Sequence, residues 1–241
     1  LISSKKIVAV LGYKGFVGEN IARALRESDK YKLLPISRQD SLDEINTADI
    51  VIHSANPAKR FNAENDPKKD FEETVLKTYN FLELSKNKKF VLISSMSART
   101  QLYTNYGRNR KSCELLAEKN NSLIIRLGPM FGGNRKQDML HDILSNKDVY
   151  VSEDTLYSYA DVSWVGNQIV NLLEGCVGIK EIGARNYVKL GDIKNYFNST
   201  SKFLGKNENQ ITQNCDYGPD ANDVYEYAKT EFESMSTWIQ Q

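Results

Sequence analysis

Residues 7–11 form an unbroken apolar run that ends directly on a turn with glycines at Gly12, Gly15 and Gly18. A short continuous apolar run suits a strand buried on both faces of a parallel sheet. Behind the turn, Ile21, Ala22 and Leu25 recur at helical spacing. Glycine is required where a backbone turns tightly, approaches a ligand, or lets a helix close onto a strand. The first turn of the helix leaves N–H groups without intrahelical partners, and these favour an anion. Strand, glycine turn and helix in this order therefore describe the opening of an α/β sheet with a phosphate-binding corner.

The rest of the front half keeps that rhythm. Apolar segments at 33–36, 50–52, 90–93 and 123–125 alternate with helical stretches at 70–86, carrying Phe71, Val75, Phe81 and Leu82, and at 106–119, carrying Leu115 and Leu116. Alternation of this kind implies parallel strands, right-handed crossovers and helices on both faces. After Gly128 the pattern becomes irregular. A helix is expected near 139–144, a short strand at 149–151, a helix over 163–173, a strand–helix pair within 181–203, a polar loop over 205–223 and a last helix over 224–239. The expected organisation is a core over residues 1–128 and a smaller portion over 129–241, packed on the core and returning in part to its sheet.

Composition narrows the function classes. The formal net charge is +1, from 32 basic and 31 acidic side chains, so no basic excess exists to neutralise a nucleic acid backbone. Cys113, Cys176 and Cys215 are scattered, which argues against a disulfide framework and for a reducing, cytoplasmic setting. His53 and His141 are the only histidines, so no metal site is expected. No apolar run approaches the roughly 18 residues of a membrane span, so no membrane insertion is expected.

Several segments, in collinear order, resemble the extended short-chain dehydrogenase/reductases, the NAD(P)-dependent epimerase/dehydratase family that modifies nucleotide sugars. The three glycines followed by Phe16 and Val17 are similar to its phosphate turn. His53, Ser54 and Ala55 resemble the end of its third core strand, and Asp66, Pro67, Phe71, Thr78, Phe81 and Leu82 its following helix. Ser94 and Ser95 resemble the strand end at its active site. Tyr106, Gly107 and Glu114 match its Tyr-Gly-x-x-Lys-x-x-x-Glu helix, and Arg126 with Phe131 and Gly132 its approach to the substrate loop. The resemblance implies a Rossmann-type doubly wound parallel sheet with a small C-terminal substrate-binding portion. It also implies a cofactor site at Gly12, Gly15, Phe16, Val17, Gly18, Ser37, Arg38, Ser54 and Ala55. Homodimerisation through the helices flanking Tyr106, with Leu115 and Leu116, is usual in similar proteins.

NAD-binding folds of this type place an acidic residue after the second strand to hold the adenosine ribose. Here Ser37 and Arg38 stand there, and arginine suits a 2′-phosphate, so NADP is expected in preference to NAD. The alternative is a solvated Arg38 stacked on adenine, with Asp40 or a later residue on the ribose. The resemblance further implies Tyr106 as acid/base toward a sugar hydroxyl. The lysine four residues on is replaced by Arg110, which keeps the positive charge but cannot relay a proton. The substrate-orienting hydroxyl position falls on Met96, with Ser95 and Ser97 on either side, and Thr74 replaces an asparagine. Arg126 is read either as a substrate-phosphate contact or as a buried ion pair, and His53 as a packed histidine. The expected function is epimerisation, dehydration or reduction of a nucleotide-activated sugar by hydride transfer. The alternative, resting on Arg110, Met96, Thr74 and the short substrate portion, is a catalytically degenerate dinucleotide-binding protein serving as a sensor or assembly partner.

Overall fold

The computed structural model describes residues 4–118, 121–135 and 137–238. Lys119 and Ile239, where two of the expected helices end, lie outside the described residues. The chain divides into two compact units, one comprising Leu1–Leu127 with Ser163–Lys180, the other Gly128–Val162 with Glu181–Gln241.

The first unit is built on strands β1 (Lys6–Leu11), β2 (Tyr31–Ile36), β3 (Ile50–His53), β4 (Lys89–Ser95) and β5 (Leu123–Leu127). The six-stranded sheet runs β2-β1-β3-β4-β5 and then Gly178–Ile182. The pairings of β1 with β2 and β3, of β3 with β4 and of β4 with β5 are all parallel. Side chains alternate across the pleat. Ala9, Leu11, Val51, Leu92 and Ile124 join Val75, Phe81, Leu82, Cys113 and Ala117 in one buried cluster, while the intervening Val8, Val10, Ile52, Val91 and Ile93 are buried as well. Burial of both faces is why these strands read as continuous apolar runs rather than alternating ones.

The helices are α1 (Phe16–Glu27), α2 (Arg60–Asn65), α3 (Pro67–Phe71), α4 (Lys77–Leu84), α5 (Ser97–Thr100) and α6 (Asn105–Glu118). The single helix expected over 70–86 is interrupted: a π-helical turn, Glu72–Leu76, joins α3 to α4. Of the two leucines assigned to a dimer face, Leu115 is exposed, whereas Leu116 packs against the buried cluster.

In the second unit Met130–Phe131 pairs in parallel with Ala160–Asp161, and Leu156–Tyr157 antiparallel with Val188–Lys189. Leu140, Ile143, Tyr157, Leu190, Ile193 and Val224 belong to its core. The strand expected at 149–151 is reduced to an isolated bridge between Val149 and Phe203. Val149 donates to Lys202 and accepts from Leu204, both in a loop distant in sequence, so no extended partner strand exists for the segment. No helix among the described residues is long and apolar enough to cross a membrane.

Candidate functional site

The strand order reverses direction at β1, since β2 lies on one side of it and β3 on the other. A ligand crevice is expected outside the carboxyl ends of two strands so arranged. A cleft of about 990 Å3 lies there, lined by Gly12, Lys14, Gly15, Ser37, Arg38 and Asp40, by Ser54 to Pro57, and by residues of the π turn and α4.

The three glycines have different tasks. Gly12 has φ +83°, and a Cβ on it would stand 2.8 Å from the Ala55 Cα. A Cβ on Gly18 would fall 2.2 Å from the Gly12 carbonyl oxygen, so Gly18 lets α1 close on the strand end. At Gly15, by contrast, the only atom a Cβ would meet is Gly12 O, at 3.2 Å. Gly15 is the N-cap of α1 and offers no side-chain cap. Protein packing requires Gly12 and Gly18. The space over Gly15 is open, which fits the approach of a phosphate to a helix start. Phe16 and Val17 form the first turn of α1 and are half-buried.

Beyond β2, the Ser37 N–H donates to the Asp40 carboxylate at 2.6 Å and the Ser37 hydroxyl accepts from Gln39 N–H at 3.3 Å. These bonds, the backbone one foremost, hold the Asp40 carboxyl below its usual range. Asp40 thus caps the turn that carries the exposed Arg38. At the end of β3 the Ser54 hydroxyl and N–H both donate to Leu11 O, at 2.8 and 3.0 Å. Ala55 N–H donates to His53 Nδ1 at 3.3 Å, and His53 Nε2 meets Thr78 Oγ1 at 3.1 Å. The network assigns the Nε2–H tautomer, with the Thr78 hydroxyl donating on to Thr74 O. His53 is fully buried; burial first, then the charges of Arg110 and Lys77, push its pKa down to about 3. It is a packed, neutral histidine.

Tyr106 and Arg110 are both buried on α6. The Arg110 guanidinium carbon stands 4.8 Å from the Tyr106 ring centroid, and one terminal nitrogen donates to Pro57 O. Arg110 Nε is buried without a partner. Gly107 is required because a Cβ there would reach Gln101 O at 2.1 Å, so α6 sits directly on the end of α5. Ser97 is fully buried and its hydroxyl donates to Gln101 Oε1 at 2.7 Å. The Ser95 hydroxyl accepts from Ser97 N–H at 3.2 Å and is half-exposed. Met96 is fully buried. Arg126 resolves toward the ion pair: its Nε and one terminal nitrogen donate to the Glu114 carboxylate at 2.8 and 2.7 Å. Those bonds place it in the buried ion pair that was one of its two expected roles.

The structure brings Gly12, Gly15, Ser37, Arg38, Ser54 and Ala55 to one cleft. Tyr106, Arg110, Ser95, Ser97, Met96 and Arg126 do not line it. Sequence reasoning missed Lys14, Asn56 and Lys77. The buried side-chain amide of Asn56 lines the cleft beside His53. Lys14, Arg38 and Lys77 line the same cleft, and among the described residues none makes an ion pair or hydrogen bond. The open glycine and the cations of the cleft fit a ligand that carries phosphate groups. Among the described residues no group of three or more His, Cys, Asp and Glu side chains could hold a metal ion.

Residues 8–115 match the model of the NAD dependent epimerase/dehydratase family. Among solved structures, UDP-glucuronic acid 4-epimerase from Bacillus cereus, in complex with UDP-glucuronic acid and NAD, is similar at TM-score 0.79 and 17% identity, over 95% of this chain and 99% of that one. UDP-N-acetylglucosamine 4-epimerase from Methanobrevibacter ruminantium M1 is similar at TM-score 0.78 and 14% identity, over 98% and 99%. The dTDP-4-dehydrorhamnose reductase from Bacillus anthracis, in complex with NADP, is similar at TM-score 0.73 and 16% identity, over 95% and 99%. At these identities the likeness is one of fold. No curated protein sequence matches the chain. Over residues 8–115 the chain is thus similar to the NAD dependent epimerase/dehydratase family, and it has the Rossmann-type α/β fold of the similar structures.

Proposed function

We propose that the chain binds a nicotinamide dinucleotide, NADP in preference to NAD, along the cleft at the ends of β1 and β3, and uses it on a nucleotide-activated sugar. The observation that carries this reading is the convergence, in one cleft, of the open Gly15 at an uncapped helix start with the cations Lys14, Arg38 and Lys77. The bound nicotinamides and sugar nucleotides of the similar structures support it. A nicotinamide supplies hydride transfer; the protein's part is position and electrostatics. In this reading Tyr106 takes or returns the proton of a sugar hydroxyl. Arg110 holds a permanent positive charge against the ring and relays no proton. Ser95, whose hydroxyl proton is not used by Ser97, orients the sugar oxygen.

A second reading, a degenerate dinucleotide-binding protein acting as a sensor or assembly partner, is favoured by one observation. Arg110 is already engaged by the Pro57 carbonyl and the Tyr106 ring rather than directed into the cleft. Titration with NADPH and with NADH, followed by cofactor fluorescence, tests the common ground. Binding of NADPH ahead of NADH, abolished by Gly15→Asp, is expected. Turnover of a nucleotide sugar that is lost in Tyr106→Phe then selects the enzyme, and binding without any turnover selects the degenerate protein. Absence of binding by either dinucleotide overturns both.

A further inference from the structure

We infer that Lys77 is a specificity-determining residue of the cleft, forming with Arg38 a two-cation seat for a phosphomonoester on the adenosine ribose. The inference rests on the dinucleotide reading and adds a residue to it that neither the glycine turn nor the tyrosine helix identifies.

The placement of Lys77 follows from the π turn. From the helical segment after β3, the residues lining the cleft are Glu72, Glu73, Leu76, Lys77, Asn80 and Phe81. They recur every four residues, and Lys77 lies in the middle of the stripe. The neighbouring Thr74, Val75 and Thr78 are buried. A π turn adds a residue to the helical repeat and so rotates everything after it. The rotation occurs immediately before Lys77, the first residue of α4. Arg38 enters the same cleft from the end of β2.

The cleft lining sets Lys14, Arg38 and Lys77 against Asp40, Glu72 and Glu73, and none of these carboxylates contacts either cation of the pair. Asp40 is occupied by the Ser37 N–H. Glu73 attracts Lys77 but makes no ion pair with it, and Glu72 lines the cleft without pairing either. Lys14 adds a third positive charge. The Lys77 ammonium is itself partly desolvated: burial lowers its pKa first, Glu73 opposes that shift, and Arg38 adds a smaller lowering. Arg38 and Lys77 share the cleft without contacting a carboxylate, so their N–H donors stay open to a ligand. A phosphomonoester, carrying between one and two negative charges near neutral pH, accepts charge-assisted hydrogen bonds from both. A dinucleotide without the extra phosphate gains neither bond, and the discrimination lies in that difference.

Calorimetric titration with adenosine 2′,5′-bisphosphate and 5′-AMP, alongside NADPH and NADH, separates these contributions. For Lys77→Met, which keeps the aliphatic stem, adenosine 2′,5′-bisphosphate and NADPH are expected to weaken about tenfold or more, while 5′-AMP and NADH stay within about twofold. Lys77→Arg should retain the preference. Equal weakening of all four ligands in Lys77→Met would place the ammonium on the shared diphosphate or in the scaffold, and unchanged affinities would remove it from the site; either overturns the inference. Wild-type protein that binds NADH as tightly as NADPH overturns the two-cation seat while leaving dinucleotide binding intact. Wild-type protein that binds none of the four ligands overturns the dinucleotide reading itself.

Discussion

Glu114 gathers three side chains around one buried carboxylate. Arg126 donates to it twice at 2.8 and 2.7 Å, Ser94 once at 2.8 Å, and Lys111 approaches at 3.4 Å. The carboxylate side chain is 0% exposed and that of Arg126 11%, so neither charge is solvated well enough to stand alone. Taking both charges out of water is costly, and the bidentate geometry with the added hydroxyl offsets the cost. Glu114→Gln removes the negative charge and leaves the guanidinium in the core. We expect it to lower stability by about 3–5 kcal/mol, read as a reduced urea midpoint with unchanged slope. Replacing both partners, as in Glu114→Met with Arg126→Leu, should recover much of that loss, because the cost lies in the stranded cation. A Glu114→Gln protein as stable as wild type would mean that Arg126 does not depend on this pairing. The sequence left Arg126 open between two roles because an arginine in an apolar strand reads the same whether its partner is a ligand or a glutamate on a helix.

At the level of elements, the strand–turn–helix at the front contains two separable kinds of glycine. Gly18→Ala would push a Cβ to 2.2 Å from Gly12 O and force α1 off the end of β1; overpacking of this kind costs about 1–3 kcal/mol. Gly15→Ala meets the same oxygen only at 3.2 Å and should cost less than about 1 kcal/mol while weakening dinucleotide binding at least as much. Thermal unfolding and NADPH titration of the two variants should therefore rank them oppositely, and a shared ranking would mean that Gly15 serves packing alone. The turn was legible in the sequence because everything that shapes it is local: an apolar run, glycine spacing and a helical repeat. The π turn was not legible. Phe71, Val75, Phe81 and Leu82 satisfy a continuous helical pattern, whereas the Thr74 carbonyl takes a hydroxyl from Thr78 and the thiol of Cys113, a residue on another helix. Lys77 was hidden by that displacement, since a lysine on a helix reads as a solvated face until the neighbouring strands are in place. The strand expected at 149–151 failed for a related reason, because its partner is a loop that no local pattern announces.

At the scale of the whole molecule, the buried His53 makes folding itself dependent on pH. Its ring lies between the sheet and α4, 4.9 Å from the Phe81 ring and 6.3 Å from Phe90, with both nitrogens used by Thr78 and Ala55. Burial, with Arg110 and Lys77 adding to it, lowers its pKa from 6.5 to about 3. The unfolded chain therefore takes up a proton below about pH 6.5 that the folded chain refuses. The stability that follows is fully present above that pH and is lost as pH falls toward 3. The slope approaches about 1.4 kcal/mol per pH unit, which amounts to roughly 2.3 kcal/mol between pH 6.5 and 4.5. Asp40, Asp138 and Asp220 have lowered values, so their contribution is lost only as pH falls below about 4; Asp142, raised by burial, titrates higher but is common to both proteins in the comparison. The other histidine, His141, lies in the second unit beside Asp138 and Glu231 and is common to both proteins in the comparison. His53→Asn keeps an acceptor for the Ala55 N–H and removes the titration. Urea unfolding from pH 7.5 to 4.5 should show wild type losing stability more steeply than the variant by about one proton. The variant, weaker at pH 7.5, should close much of the gap by pH 4.5. Parallel curves would show that position 53 accepts a proton in the folded chain.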